Sequence, residues 1–132
     1  GNTPSTSTVD IADSTIDGNS IGIFARSIVS TAILKLSVRD SRMVGNSYSG
    51  LVVESDANAA ASLTASNNMV SNNGYGIVAQ GAGAKAISTG NTVTGNPSAG
   101  FSSGFAVFES AGNNTVRDNG ANIGTITVIA TQ

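Results

Sequence analysis

The sequence predicts an all-β solenoid: a parallel β-helix of about five rungs, with three short strands in each rung. Three observations carry that prediction. Five asparagines, Asn19, Asn46, Asn73, Asn96 and Asn119, recur at spacings of 27, 27, 23 and 23 residues. Each closes a similar phrase, in turn STIDGN, SRMVGN, NNMVSN, NTVTGN and NTVRDN. Around them two further positions keep their chemistry. Three residues earlier stands an apolar side chain (Ile16, Met43, Val70, Val93, Val116), and five residues earlier a Ser or Asn (Ser14, Ser41, Asn68, Asn91, Asn114). Finally, the stretches between the phrases alternate at the period of a half-buried strand and lack a helical stripe of useful length. Self-similarity at a period in the twenties marks a repeat architecture, in which one unit cannot bury its own apolar face and neighbours must stack.

The rungs follow in chain order as Val9 to Thr31, Ile33 to Ala60, Ala61 to Ala84, Lys85 to Ser110, and Ala111 onward. Within a rung the first strand precedes an Asp/Asn-Ser corner, as in Val9-Asp10-Ile11, Leu36-Ser37-Val38 and Leu63-Thr64-Ala65. The second carries the apolar position of the phrase, as in Thr15-Ile16-Asp17 and Thr92-Val93-Thr94. The third follows a glycine: Gly22-Ile23-Phe24-Ala25, Gly50-Leu51-Val52-Val53 and Gly76-Ile77-Val78-Ala79. Stacked at the usual ~4.8 Å between strands, Ile16, Met43, Val70, Val93 and Val116 form one internal column. Ile23, Leu51, Ile77 and either Phe101 or Phe105 form another. The run from Ser27 to Ile33 is apolar but of ambiguous type. The asparagines take a corner, where Asn tolerates a left-handed backbone better than a β-branched residue, and their amides stack as a ladder. One domain, 1–132, is expected: an irregular segment 1–8, rungs over 9–124, and a terminal strand over 125–132.

Composition narrows the function classes. Of 132 residues 11% are charged, with a net charge of −2 and six Lys or Arg in all, too sparse a positive field for nucleic acid. No apolar run approaches the ~18 residues of a membrane-spanning helix. Cysteine and histidine are both absent, which removes a disulfide framework, the commonest general base and the commonest metal ligand. The chain opens at Gly1 without a Met or a signal-like segment, which reads as a processed form or an excised piece.

The phrases STIDGNSIGI, SRMVGNSYSGL, NNMVSNNGYGI and GNNTVRDNG, spanning residues 8 to 124, resemble the rungs of right-handed parallel β-helix repeat proteins. These form the pectate-lyase-like superfamily with its many bacterial secreted members. The chain looks like a terminal portion of a longer one. That resemblance implies a right-handed coil and a secreted or cell-surface location. It leaves activity open, because the superfamily holds lyases, hydrolases, tailspikes, adhesins and non-enzymes.

Candidate chemistry is sparse. Asp13 stacks over Asp40 at the first corner, followed by Asn67, Gly90 and Asn113; hard oxygens in a column suit Ca²⁺, and Asp and Asn also favour turns for their own backbone hydrogen bonds. Beyond that column no set of carboxylates shares a register as a hydrolase requires, so no catalytic residue is assigned and the sequence leans away from an enzyme. Tyr48 and Tyr75, each two residues after a ladder asparagine, are candidate contacts for sugar rings or a stacked pair serving stability alone. The segments 27–31, 54–60, 80–84 and 97–104 are expected loops, and Glu54 and Asp56 give one of them an acidic tip that is a further candidate for ligand contact. The expected function is that of a non-catalytic module of a secreted bacterial protein, either structural or surface- and carbohydrate-binding. The alternatives are a polysaccharide lyase or related carbohydrate-active fragment, and a module that self-assembles through uncapped end rungs. Missing sequence, a partner chain or another copy is expected to cover those ends.

Overall fold

The computed structural model describes residues 3–56 and 58–131, and all of its regular structure is strand. Three parallel sheets run the length of a solenoid. Sheet A stacks β1 (Ser5–Ala12), β4 (Ala32–Arg39), β7 (Ala60–Ser66), β10 (Ala84–Thr89), β13 (Val107–Ala111) and β15 (Thr127–Ile129). Sheet B stacks the three-residue strands β2 (Thr15–Asp17), β5 (Arg42–Val44), β8 (Met69–Ser71), β11 (Thr92–Thr94) and β14 (Thr115–Arg117). Sheet C stacks β3 (Ile21–Ser27), β6 (Ser49–Ser55), β9 (Tyr75–Gln80) and β12 (Ala99–Gly104), and the bridge from Ser102 to Ile123 extends it by one residue.

Both expected internal columns form. Ile16, Met43, Val70, Val93 and Val116 pair in register through sheet B. Ile23, Leu51, Ile77 and Phe101 pair through sheet C. Phe101 is thus the fourth member and packs on Phe108 with ring centroids 4.8 Å apart, whereas Phe105 is 96% exposed.

The corners depart from expectation in one respect. The left-handed residue is the one before each ladder asparagine: Gly18, Gly45, Asn72, Gly95 and Asp118 all have φ between 55° and 68°. The turn made there aims the next side chain inward, so Asn46, Asn73 and Asn96 are buried. Each amide oxygen accepts the backbone N–H of the asparagine one rung earlier, from Asn19 to Asn46 at 3.0 Å and then at 2.9 Å for each later step to Asn119. Each Nδ2 donates back to the carbonyl of the apolar residue in the preceding rung, as from Asn73 to Met43 at 3.0 Å and from Asn119 to Val93 at 2.8 Å.

A second ladder stands at the corner between sheets A and B. Ser14, Ser41, Asn68, Asn91 and Asn114 pass the same backbone-to-side-chain bond along, at 3.1, 3.0, 2.9 and 2.8 Å. Its asparagines also donate to the preceding rung, at Val38, Ala65 and Ser88. The glycines that open sheet C make room for the first ladder. A Cβ on Gly50 would lie 2.6 Å from Val70 Cγ1 and 2.9 Å from Asn73 Nδ2, a contact no side chain tolerates.

Three further expectations are corrected. Residues 5–8 are not irregular; they pair with residues 32–35 as the start of β1. The segment 97–104 is not a loop, since Ala99–Gly104 is β12 and lies on β9. The ambiguous run 27–33 divides: Ser27 ends β3, Ile28 and Val29 are exposed in the turn, and Ala32 opens β4. Within the expected terminal strand, 125–132, the structure forms Thr127, Val128 and Ile129 as strand, in register on Glu109, Ser110 and Ala111.

Replacing Asn73 by Ala is expected to cost about 3 kcal/mol in urea unfolding, because it strands the buried Asn46 N–H and Met43 carbonyl at about 1–3 kcal/mol each. Asn19→Ala, at the exposed start of the same ladder, is expected to cost less than about 0.5 kcal/mol.

Candidate functional site

The outer face of sheet C carries the most developed surface feature. Strand alternation sends Ile23, Leu51, Ile77 and Phe101 to the core, so the next residues, Phe24, Val52, Val78 and Ser102, face outward. They pair in register, one per rung, and Ile123 joins the column beside Ser102. Tyr48 and Tyr75 flank it. With Val78, Gln80, Ser102 and Ile123 they line a groove of about 210 Å³ that holds no charged side chain.

The two tyrosines meet, but not as register partners. Tyr75 begins β9 and pairs with Ser49, while Tyr48 sits just before β6 and accepts the Tyr75 N–H on its carbonyl at 2.7 Å. Their ring centroids are 5.5 Å apart with planes tilted by 58°, the edge-to-face range favoured by aromatic quadrupoles. Tyr48 is 56% exposed, so its ring remains open to a ligand.

The acidic pair assigned to a loop tip has a partner that spacing did not reveal. Arg26 Nε lies 3.2 Å from Glu54, and an Arg26 Nη2 donates a hydrogen bond to Asp56. The guanidinium is held above its ordinary pKa, chiefly by the Asp56 hydrogen bond and then by the charge of the same carboxylate. Glu54 and Asp56 therefore face a cation of their own chain.

Asp13 and Asp40 occupy matching corners, both at φ 51°, followed by Asn67 at 55° and Gly90 at 63°. In the fifth rung the corner changes. Ala86 pairs with Phe108, 22 residues on, but Val93 pairs with Val116, 23 residues on; one extra residue is therefore taken up between them, and Asn113 reaches back to accept the Gly90 N–H at 2.9 Å. Arg39 lies between Asp10 and Asp40, at 3.8 and 3.4 Å. Ca²⁺ takes about six to eight oxygens. No group of three or more acidic side chains converges among the described residues, and the positive φ gives the column a turn-forming role of its own.

Sequence reasoning found the tyrosines and missed the rest of the groove. Val78 and Ser102 become neighbours only through the sheet C register, which departs from the asparagine spacing. The family described as "Right handed beta helix region" matches residues 2–121. Neither a curated protein nor a solved structure matches the chain.

Asp40→Gly is expected to leave stability within about 0.5 kcal/mol, since glycine accepts the positive φ freely, while Asp40→Val is expected to cost about 1–2 kcal/mol. Melting the parent and Asp40→Gly with and without Ca²⁺ separates the two roles of the column. The turn role predicts no Ca²⁺ effect on either protein; a metal site would raise the parent's melting temperature and lose that rise in the variant.

Proposed function

The chain belongs to the right-handed β-helix family, and from that premise we propose that it is a non-catalytic β-helix module that binds carbohydrate on the outer face of sheet C. The observation that carries this reading is the groove bearing Tyr48 and Tyr75. Sugar rings present apolar C–H faces, which aromatic side chains cover, while their hydroxyls require neutral hydrogen-bonding groups. Gln80, Ser102 and the tyrosine hydroxyls supply that second chemistry. The rigidity of the stacked strands supports the reading further, since a preordered face gives up little conformational entropy on binding. Catalysis finds less support: Glu54 and Asp56 are paired with Arg26, and Asp13 and Asp40 serve corners.

We also propose a second role, head-to-tail association, on a separate observation. Eight of the eleven exposed large apolar residues among those described lie in the first and last rungs: Val9, Phe24, Ile28 and Val29 at one end, Phe105, Val107, Ile123 and Val128 at the other. Val9 and Ile11 at the inward positions of β1 face, across such a contact, Ile126 just before β15 and Val128 within it. Such a contact is heterologous and propagates unless it closes.

Tyr48→Ala and Tyr75→Ala are each expected to weaken saccharide binding about two- to tenfold in calorimetric titration, in line with ~0.5–1.5 kcal/mol per aromatic contact. Both variants should keep the parent's far-ultraviolet dichroism. For the ends, light scattering is expected to show mass rising with concentration, and Val128→Asp to abolish the rise without altering the melting curve.

A further inference from the structure

Resting on the head-to-tail reading of the two ends, we infer that the contact is completed by strand replacement. In it, β1 of a second copy takes the seat that β15 holds on β13, and all three sheets then run unbroken through the junction. The seat can change hands because β15 stands where a further β1 would stand. Register through sheet A leads from Asp10 in β1 to Thr127 in β15, and from Ile11 to Val128. Ile126-Thr127-Val128 repeats the apolar, polar, apolar order of Val9-Asp10-Ile11. β15 is three residues long, whereas β1 has eight, so the incoming strand has more backbone to offer. While β15 keeps its seat, the contact between copies is confined to sheet A.

The rest of the junction fits only once β15 leaves. Sheet A has six strands and sheet B five, so a copy seated on β15 would hold its β2 two rungs, about 10 Å, from β14. Without β15 these strands become neighbours. The sheet B columns then set Ile16 beside Val116 in the core, and Asp17 beside Arg117 on the outer face. Opposite charges at such paired positions attract. On sheet C, Phe24 meets Ile123, two exposed apolar residues that already begin and end one column.

The ladders select the direction of stacking. Among the described residues the Asn119 N–H has no acceptor and the Asn19 Oδ1 has no donor. Each interior step joins those same two groups from one rung to the next. The second ladder ends alike: the Asn114 N–H falls back on the Ala111 carbonyl at 3.3 Å, and Ser14 Oγ donates to Ala12 and accepts nothing among the described residues. A donor end meets an acceptor end only when copies stack in the same sense. A head-to-head pair would set Asn19 against Asn19 and leave both Asn119 N–H groups unanswered.

The test loosens β15 within the full chain. The Ile129 carbonyl accepts the Gly112 N–H at 3.2 Å; in a parallel pair its own N–H faces β13 too, as does that of Thr127 two residues earlier. Ile129→Pro and Thr127→Pro each remove one of these donors, and both variants should keep the parent's far-ultraviolet dichroism. In light scattering each is expected to gain mass at about tenfold lower concentration than the parent. In either background Arg117→Glu is expected to weaken assembly about three- to tenfold, and adding Asp17→Lys to restore it. Association lost or unchanged in both folded proline variants would overturn the strand replacement and leave the contact on β15 standing. Indifference to the charge exchange would overturn the meeting of β2 with β14. Mass independent of concentration in the parent and in every variant would defeat head-to-tail association itself.

Discussion

The structure depends on one interaction: a buried side-chain oxygen that accepts the backbone N–H of its counterpart one rung earlier. The tight corners on either side of sheet B turn a backbone donor away from the strand ladders, where it would be buried without a partner. Asn46, Asn73 and Asn96 at one corner, and Ser41, Asn68 and Asn91 at the other, answer that need from the adjacent rung. The short strands of sheet B, three residues each, follow from this. With both corners fixed by side chains, little strand is needed between them. The glycine near the start of each strand of sheet C follows as well, because the ladder amide, the apolar column and the neighbouring backbone carbonyl together fill the space a Cβ would take.

Fixing two corners frees the rest of the outline. Most of the change in rung length is absorbed between sheets C and A, where the turns range from the apolar Ile28-Val29 to the small Gly81-Ala82-Gly83. The outer face of sheet C lies between a fixed corner and a variable one. That face takes its spacing from the pairing of the sheet C strands and its side chains from the individual rungs, which is how a repeating scaffold comes to carry an irregular groove.

Much of the fold was legible because a buried polar group must recur in every rung, so Asn19 through Asn119 announced the period. The inward column from Ile16 to Val116 followed from the same alignment, since sheet B keeps the 27, 27, 23, 23 spacing. The second ladder was harder to see, because Ser14 and Ser41 perform with a hydroxyl what Asn68, Asn91 and Asn114 perform with an amide. The groove was hidden for a geometric reason. In sheet C, Ile23 to Leu51 is 28 residues, Leu51 to Ile77 is 26 and Ile77 to Phe101 is 24, so an alignment on the asparagines slips by one residue in alternate rungs. A slip of one exchanges inside for outside. It therefore set Tyr48 level with Tyr75, while the glycine-led segments kept Phe24, Val52 and Val78 in line and left open only the fourth place, which Ser102 takes because Phe101 rather than Phe105 points inward. The Arg26–Asp56 pair, 30 residues apart, was missed because Asp56 lies past the end of β6, outside the register that sets Arg26 beside Glu54.

The direction of the ladder bears on how such a chain comes into being. The donor in each rung is met by an oxygen in the rung made after it: Asn46 N–H waits for Asn73, and Asn73 N–H for Asn96. During synthesis from the N-terminus, the newest coil is always the incomplete one, and it is finished by the coil that follows. Growth of the solenoid therefore has a sense, like zipping from one end. A lesion in one rung would therefore leave the coil laid down before it unfinished, as loss of Asn73 strands the Asn46 N–H and the Met43 carbonyl.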